Sequence, residues 1–579
     1  MLNQASWSRL SLILVGLMGV MPFLQWKHYY PITDFYTEWV AAFLGLSALA
    51  CNYRRLSKFP LVSLVPLSLL LLVWLQFALG RITYPQQAAL ASLYLVWGAL
   101  LAMLGYALKG EFGLEKIART LTWFILAGGL ASGVAAVLQH YFDHAAFGAF
   151  VTPDASEAVY GNLAQQNHFS DYMALAIASL LYLAATKKIH RLAALPLGGF
   201  LLFMLALSGS RSAWLYLGVL TLLSLLHYRK DGNRVLLIGA LSLMPSFALM
   251  QFLAHFSFLS GHGALTSGDR LLVIGRDSGI RFYLWREAWM MFLKAPLLGV
   301  GFGQFAWHHF GYGPVFNDPQ ITGLYSNAHD IAFHLLAEMG LAGTLLVFGG
   351  IFFWAKRIDI AFDIHAWWLF AVLLVLALHS LDEYPLWYAH FLGIFMLFLG
   401  MGESRSLRLP GAPGVTILLL AAGSYLMAGL MRDYLDLEGL LYPSYHNGKP
   451  PLKPAALYDA LYRFRKGTLL VPYVEYPMAE MLPVDETNLD GKLRLSRRAL
   501  HFSPSGMLVY RRAALLALAG REGAAKLEIR RAAWSDPDLL EDALDLYSDL
   551  AEKEPGKFEP LVEEVNLKLK ERNFAFHHQ

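Results

Sequence analysis

Long runs of apolar residues recur along the first three quarters of the chain and constrain its fold more than any other feature. A bilayer core about 30 Å thick needs roughly 20 apolar residues per helix. Charged residues make up only 15% of the 579 residues, whereas soluble proteins carry about 25%. We therefore predict an all-α polytopic membrane protein with about thirteen transmembrane helices. The candidate spans are 8–26, 36–52, 59–79, 86–107, 119–140, 169–186, 191–208, 212–227, 234–254, 330–354, 366–381, 386–402 and 413–431.

Basic residues alternate between the gaps that separate these spans. Every even-numbered gap is basic, as Lys187 and Lys188 show for the sixth, whereas the short odd-numbered gaps hold chiefly Lys27, Arg81 and Arg211. Because Lys and Arg accumulate in cytoplasmic loops, the even gaps are predicted to be cytoplasmic and the odd gaps extracytoplasmic. The net charge of +3 is close to balanced and does not indicate nucleic-acid binding.

The same alternation divides the chain into two parts. Residues 1–431 form the predicted transmembrane domain, with a long extracytoplasmic loop at 255–329, and residues 432–579 form an extracytoplasmic helical domain. Between 496 and 536 apolar residues at helical spacing predict a helix pair with a break at Gly520. Together with a preceding Ser503-Pro504 turn, this segment resembles a degenerate tetratricopeptide unit, and an unspecified helical domain is the alternative.

Four polar clusters stand out, and all of them fall in odd gaps. They lie at 161–168, at 208–212, in the long loop from 269 to 303 with its end at 326–330, and at 379–388. Histidine, cysteine and carboxylate residues show no spacing typical of a metal site, so neither a metal nor another cofactor is expected.

Arginine and histidine in these clusters predict a particular chemistry. Arginine suits bidentate binding of phosphate or pyrophosphate, and a histidine near neutral pKa suits deprotonation of a hydroxyl. Each residue also has a plainer interpretation. Arg211 can snorkel to the headgroups, Arg281 can be the polar face of an interfacial helix, and His329 can be an N-terminal polar contact.

These clusters resemble the superfamily of O-antigen ligases, O-antigen polymerases and bacterial protein O-oligosaccharyltransferases, over residues of about 150 to 400. The segment 208–212 is similar to its Ser/Arg turn, and 281–303 to its motif of arginine, tryptophan and glycine-rich turn. The segment 327–330, with 338–341 after it, is similar to its catalytic-histidine motif, except that Asp330 stands where Asn is usual. Segments 161–168 and 383–388 resemble motifs of the PglL-type protein O-oligosaccharyltransferases. A large helical periplasmic tail also resembles this branch of the superfamily.

The resemblance implies His329 as the catalytic residue and Arg211 and Arg281 as pyrophosphate binders. It implies a set of supporting polar residues: Gln165, Asn167, His168, Glu383 and Tyr384.

The resulting hypothesis is en bloc transfer of an oligosaccharide from undecaprenyl pyrophosphate to Ser or Thr hydroxyls of a periplasmic protein such as a pilin. The enzyme would lie in a bacterial inner membrane with its site facing the periplasm. The alternatives are an O-antigen ligase or polymerase that acts on lipid A-core or glycan, and a transporter or flippase, since intramembrane polar residues also mark conduction paths. Against transport, the charged residues cluster at one face, and no internal repeat is evident.

Overall fold

A computed structural model describes residues 4–142, 147–153, 159–256, 259, 276–316, 323–408, 411–444, 448 and 450–577. Within these ranges the chain is almost entirely helical, and the two strands found there are β1 (Lys58–Pro60) and β2 (Ser406–Arg408), which pair antiparallel. The N-terminal helices are α1 (Gln4–Met18), α2 (Phe35–Asn52), α3 (Leu64–Ala78), α4 (Pro85–Tyr141), α5 (Gln166–Ala185), α6 (Arg191–Leu207), α7 (Ser212–Asp231) and α8 (Arg234–Ala254).

The predicted long loop contains helical structure of its own. The described part of the loop holds α9 (Arg276–Lys294) and α10 (Phe305–Phe316), and residues 257, 258, 260–275 and 317–322 lie outside the described ranges. After the loop come α11 (Ile331–Lys356), α12 (Ile364–Ser380), a 3-10 turn at Pro385–Trp387, α13 (Ala389–Gly402) and α14 (Ala412–Leu441).

Each of the thirteen predicted spans overlaps a helix, and two of them lie in α4, where the backbone at Gly113 is non-helical. Seven helical segments of the described chain are long and apolar enough to cross a membrane. They are Gln4–Leu24, Leu61–Ala78, Pro85–Tyr141, Gln166–Ala185, Arg234–Ala254, Ile331–Lys356 and Pro413–Leu441, and α6, α12 and α13 are shorter apolar helices. The predicted all-α fold is therefore confirmed and is consistent with a polytopic membrane protein, while the count of thirteen crossings stays a prediction.

Even-numbered gaps meet at one end of this bundle. Strand β1 follows the second span and pairs with β2, which follows the twelfth. Arg55 forms an ion pair with Glu111 at 3.1 Å, and Lys109 donates to the backbone carbonyl of Glu403 at 2.8 Å. The carboxylate of Glu403 in turn pairs with Arg357 at 3.1 Å. The second, fourth, tenth and twelfth gaps thus lie on one face of the molecule, as their shared charge predicts.

Close helix packing holds the bundle together. Helix α13 lies against α4, and a Cβ added at Gly105 or Gly400 would lie 2.0 Å from a backbone carbonyl oxygen of the facing helix. Small residues allow such close approach, which is how membrane helices gain dispersion contacts in a solvent as apolar as their own surface. Any larger side chain at either glycine would force the two helices apart.

The C-terminal part forms a helical stack with its own core. Its helices are α15 (Pro454–Phe464), α16 (Val471–Glu480), α17 (Leu489–Phe502), α18 (Met507–Leu518), α19 (Glu522–Ser535), α20 (Leu540–Ala551) and α21 (Pro555–His577). The helix pair predicted at 496–536 is instead part of three helices, because α17 ends at the Ser503-Pro504 turn and Gly520 separates α18 from α19. The predicted boundary at 431 falls inside α14. The tetratricopeptide resemblance and the division into two domains stay predictions.

Candidate active site

His329 occupies a constrained turn immediately before α11. Its φ of 48° lies in the left-handed region, and its backbone N–H donates to Asn327 Oδ1 at 3.1 Å. The next residue, Asp330, caps the helix by accepting from the backbone N–H of Phe333 at 2.9 Å. A non-glycine residue pays about 1 kcal/mol or more for this backbone conformation, so the surrounding contacts must hold it in place. The backbone of this turn therefore holds the imidazole just before the first residue of α11.

The His329 ring is held by a carboxylate from a distant part of the chain. Its Nδ1 lies 2.8 Å from Glu383 Oε2, and the imidazole is 23% exposed. Because a carboxylate only accepts hydrogen bonds, Nδ1 carries the proton and Nε2 has the free lone pair. Among the described residues no group forms a hydrogen bond with Nε2. This ring can accept a proton from a hydroxyl that reaches it.

Glu383 is the hub of the site. Its side chain is only 3% exposed, and its Oε1 accepts from Asn167 Nδ2 at 2.7 Å and from Arg281 Nη2 at 3.3 Å. Together with His329, these donors make three hydrogen-bonding partners on the two oxygens of one carboxylate. One buried side chain thus joins the start of α5, the helix α9 and the turn before α11.

Asp382 ties the Ser/Arg turn to the same centre. It accepts hydrogen bonds from Arg281 and from the hydroxyl of Ser212, and Ser210 on the other side of the turn donates to Asn167 Oδ1 at 2.7 Å. Arg211 lies between the two serines at the start of α7 and is half-buried. Both neighbours of Arg211 are therefore bonded into the site that contains Arg281. The structure brings the two predicted arginine motifs together on one carboxylate.

Helix α9 fixes Arg281 relative to the turn that carries His329. Trp285, one turn along α9, donates from Nε1 to the carbonyl of Ala328 at 3.1 Å, and its ring stacks on Phe333 at 5.2 Å. The Arg281 side chain is 25% exposed. A guanidinium has five N–H donors, so its two carboxylate partners leave donors that can reach an anion.

The glycine-rich segment 299–303 braces α11 from the side. Helix α11 is interrupted at Gly340, whose φ is 62°, and the loop fills the interruption with backbone hydrogen bonds. Val300 donates to the carbonyl of Ala337 at 2.9 Å, and Leu341 donates to that of Pro296 at 2.8 Å. A Cβ at Gly299 would lie 2.2 Å from the backbone of residue 338. The glycines of this segment therefore allow its backbone to approach the backbone of α11 closely.

The acidic residue of the segment 338–341 completes this brace. The buried carboxylate of Glu338 accepts from the backbone N–H groups of Gly303 at 2.7 Å and Phe305 at 2.9 Å. It thereby caps the start of α10, where N–H groups lack partners within the helix. Glu338, which the sequence places nine residues after His329, therefore has a structural role.

The predicted supporting residues have different contacts. Gln165 caps α5 by accepting from the backbone N–H of His168 at 2.6 Å. The ring of Tyr384 meets the His329 ring edge-on at 5.4 Å, and burial raises the pKa of Tyr384, so its phenol stays protonated. His168 is 5% exposed and packs on Tyr388 at 4.9 Å. His379, fully buried, shares a 2.8 Å hydrogen bond with Tyr216. Neither of these two histidines is as accessible as His329.

Sequence reasoning missed the way in which two acidic residues organise this site. The sequence predicts Glu383 only as a supporting group and predicts no role for Asp382. Two adjacent carboxylates in a short gap between apolar spans carry a free-energy cost near a membrane. Because such costly residues usually have a function, their position could have indicated that Asp382 and Glu383 belong to the site. Among the described residues, no group of three or more histidines, cysteines or carboxylates could hold a metal ion.

Three family models match this chain. Residues 159–184 match the protein glycosylation ligase model, residues 196–348 match O-antigen ligase, and residues 367–543 match the C-terminal part of virulence factor membrane-bound polymerase. A general O-oligosaccharyltransferase of Acinetobacter baylyi is 26% identical over 452 residues, which cover 73% of this chain and 76% of that protein. These comparisons support the predicted resemblance to the superfamily of O-antigen ligases and polymerases. Within that superfamily, the protein glycosylation ligase match and the O-oligosaccharyltransferase relative support oligosaccharyltransferase activity of the PglL type.

Each matched segment supplies one part of the site. The first contains Asn167, the second contains Arg281 and His329, and the third contains Asp382 and Glu383. The hydrogen bonds to Glu383 join all three.

Proposed function

We propose that this protein transfers an oligosaccharide en bloc from undecaprenyl pyrophosphate to Ser or Thr hydroxyls of periplasmic proteins, such as a pilin. The transfer takes place at the periplasmic face of a bacterial inner membrane. The observation that carries the proposal is the 2.8 Å contact between His329 Nδ1 and Glu383, beside the partly exposed guanidinium of Arg281. A base with an available nitrogen and an anion-binding arginine are what hydroxyl attack on a glycosyl pyrophosphate requires.

The reaction is a single displacement at the anomeric carbon. The acceptor oxygen forms a bond to that carbon, the bond from carbon to pyrophosphate oxygen breaks, and the hydroxyl proton passes to His329 Nε2. Undecaprenyl pyrophosphate leaves with the bonding electron pair, and the anomeric configuration inverts. A positioned general base contributes typically 10²–10⁴-fold to such a step. Glu383 stabilises the imidazolium that forms, since its carboxylate already faces Nδ1.

Two arginines act on the leaving group. Negative charge develops on the pyrophosphate as the carbon–oxygen bond breaks, and donors fixed in advance stabilise that charge without reorganising. Arg281 lies beside the histidine through Glu383, and Arg211 follows Ser210, which is bonded to Asn167. Asn167, Gln165, His168 and Tyr384 hold the surrounding elements.

The alternative function is that of an O-antigen ligase or polymerase, which the descriptions of two of the matched families favour. It uses the same donor chemistry and differs in the acceptor, which is lipid A-core or another glycan. The location of the acceptor hydroxyl is therefore what separates the two hypotheses.

Purified full-length protein in lipid nanodiscs tests this choice. It would be supplied with undecaprenyl-pyrophosphate-linked oligosaccharide and, in separate reactions, with a pilin or with lipid A-core. The His329→Ala variant serves as the matched inactive control. We expect glycan on Ser or Thr of the pilin and none on lipid A-core. Transfer to lipid A-core alone, or glycan extension without protein product, would replace this proposal with the alternative.

A further inference from the structure

A second group of polar side chains lies next to Tyr384 and includes Tyr388. Asp34 and Glu38 come from the start of α2, and Tyr388 and His390 come from the start of α13. Tyr94 of α4 and Tyr473 of α16 complete the group. We call these six residues the acidic–tyrosine cluster.

Direct contacts and electrostatic interactions join the cluster. Glu38 Oε2 accepts from the backbone N–H of Ala389 at 2.7 Å, and its Oε1 lies 3.7 Å from His390 Nδ1. Tyr94 interacts with Glu38, Asp34 and Tyr473, and Tyr388 interacts with both carboxylates. The six side chains, which come from four separate segments, therefore form one group of interacting residues.

The cluster adjoins the turn that carries His329. The ring of Tyr388 stacks beside Tyr384 at 5.8 Å, and Tyr384 meets His329 at 5.4 Å. A sugar whose anomeric carbon lies at His329 would direct its next unit along this pair of rings toward the cluster.

Three polar atoms in the cluster lack a hydrogen bond. His390 is 3% exposed, yet neither of its ring nitrogens forms a hydrogen bond among the described residues. Its Nδ1 and the buried Glu38 Oε1 face each other at 3.7 Å, which is too long for a hydrogen bond. A buried polar atom without a partner costs about 1–3 kcal/mol, so these atoms favour a ligand that supplies hydrogen bonds. Asp34, Tyr94, Tyr388 and Tyr473 remain half-buried.

The charge of the cluster selects the kind of ligand. Burial acts to raise the pKa of Asp34, yet the hydrogen bond and charge of His28, 3.6 Å away, hold it below its ordinary value. Burial, with a smaller effect of Asp34, raises the pKa of Tyr473 to about 12, so its phenol remains a donor. None of the six residues is Lys or Arg, which disfavours pyrophosphate. Sugar hydroxyls donate well to carboxylates, and tyrosine rings stack on sugar faces.

We propose that the acidic–tyrosine cluster is a saccharide subsite that binds the sugar units of the donor beyond the one attached to pyrophosphate. This inference rests on the proposed function, since it assumes that His329 marks the reacting sugar. It also gives the C-terminal helices a part in specificity, because Tyr473 belongs to α16.

The test compares two donors on the same variants. The donors are the lipid-linked oligosaccharide of the source organism, either intact or trimmed by exoglycosidases to its first sugar. The variants are Asp34→Asn, Glu38→Gln and Tyr473→Ala, with Tyr462→Ala as a control, because Tyr462 is 44% exposed on the neighbouring α15. Loss of one charge-assisted hydrogen bond or one stacking contact is expected to raise the donor KM about tenfold for the intact oligosaccharide. For the trimmed donor KM and kcat stay within about twofold of wild type.

Three results would overturn the subsite: equal losses on both donors, a change confined to the acceptor KM, or no change in any variant. Binding of each lipid-linked donor to the purified protein, measured without acceptor, keeps this test separate from the proposed function. If the wild-type enzyme glycosylates no protein, the proposed function fails, while the difference in donor binding still decides the subsite.

Discussion

Two histidine–glutamate pairs in this enzyme have the same chemistry and opposite surroundings. His329 Nδ1 faces Glu383 at 2.8 Å with the ring 23% exposed, whereas His309 Nδ1 faces Glu287 at 2.5 Å with both side chains fully buried. The second ring nitrogen of His309 shares a hydrogen bond with the carbonyl of Gly323 at 3.1 Å. A carboxylate partner alone therefore does not make a histidine a base. The ring also needs a second nitrogen that a substrate can reach.

We call His329 and Glu383 the open pair, and His309 and Glu287 the closed pair. The closed pair joins three parts of the molecule. Glu287 lies on α9, His309 lies on α10, and the ring of Trp534 from the C-terminal α19 packs on His309 at 4.9 Å. Burial raises the pKa of Glu287, although the hydrogen bond and charge of His309 oppose that shift. Because α9 also carries Arg281, this pair supports the helix that holds the arginine in the site.

The largest effect is expected at the open pair. His329→Ala removes the proposed base and should lower transfer by about 10³–10⁴-fold, while the protein inserts normally and still binds the lipid donor. Glycosylated acceptor and donor binding would be measured in parallel. The comparison variants are His168→Ala and His379→Ala, whose rings are buried. Normal transfer by the His329 variant, with loss of transfer in either of the others, would show that the base lies elsewhere.

Glu383→Gln should have the next largest effect. The amide keeps the shape of the side chain but loses the charge that stabilises the imidazolium, so kcat should fall about 10²-fold. Steady-state kinetics with saturating donor would measure this change. Asp330→Asn is the control, because Asp330 caps α11 and an asparagine caps equally well. If the Asp330 variant loses as much kcat as the Glu383 variant, the assignment of the orienting carboxylate is wrong.

Smaller losses are expected when the arginines become lysines. Arg281→Lys and Arg211→Lys each keep the charge but lose the planar pair of donors, so activity should fall about tenfold at normal expression. The measured quantity is kcat/KM for the lipid donor. Full activity of both variants would remove the argument for bidentate pyrophosphate binding. Arg286→Lys is the control, since Arg286 packs on the ring of Phe316 at 4.1 Å.

The closed pair should affect stability far more than chemistry. Glu287→Gln leaves His309 in a fully buried site without its charged partner, and breaking a buried ion pair costs about 3–5 kcal/mol. The thermal unfolding midpoint should fall, while kcat per folded molecule stays within about twofold of wild type. A variant that kept its thermal stability but lost kcat would place this pair in the chemistry and erase the distinction drawn above.

The fold was predictable to the extent that the bilayer dictates it. Apolar runs of the length of a membrane helix must form helices, because backbone groups in hydrocarbon have no other partners, and each predicted span overlaps one. The alternating basic gaps placed the polar clusters on one side, where the structure brings them together. The packing of the C-terminal helices on α10 was not predictable, since it depends on contacts such as that of Trp534 with Gly313.

The site was predictable in its residues but not in its connections. His329, Arg281 and Asn167 were identified from motifs, and all three are bonded to Glu383. No sequence spacing indicates that pairing, because Glu383 follows His329 by 54 residues and two apolar helices intervene. The acidic neighbour that lies closest in sequence, Asp330, is occupied as a helix cap. Tertiary geometry alone decides which carboxylate faces the ring.

The break in α11 at Gly340 has a mechanical consequence. The backbone there leaves the helical path, and the segment 296–301 grips the two sides of the break. The turns between His329 and the break are thus bonded to the loop segment 296–301, while the longer part beyond the break can tilt with the bilayer. Hydrophobic mismatch should therefore be absorbed by a hinge below the site and not transmitted to the imidazole. Reconstitution in phosphatidylcholines of increasing acyl length should change kcat by no more than about twofold, so that one enzyme geometry serves membranes of different thickness.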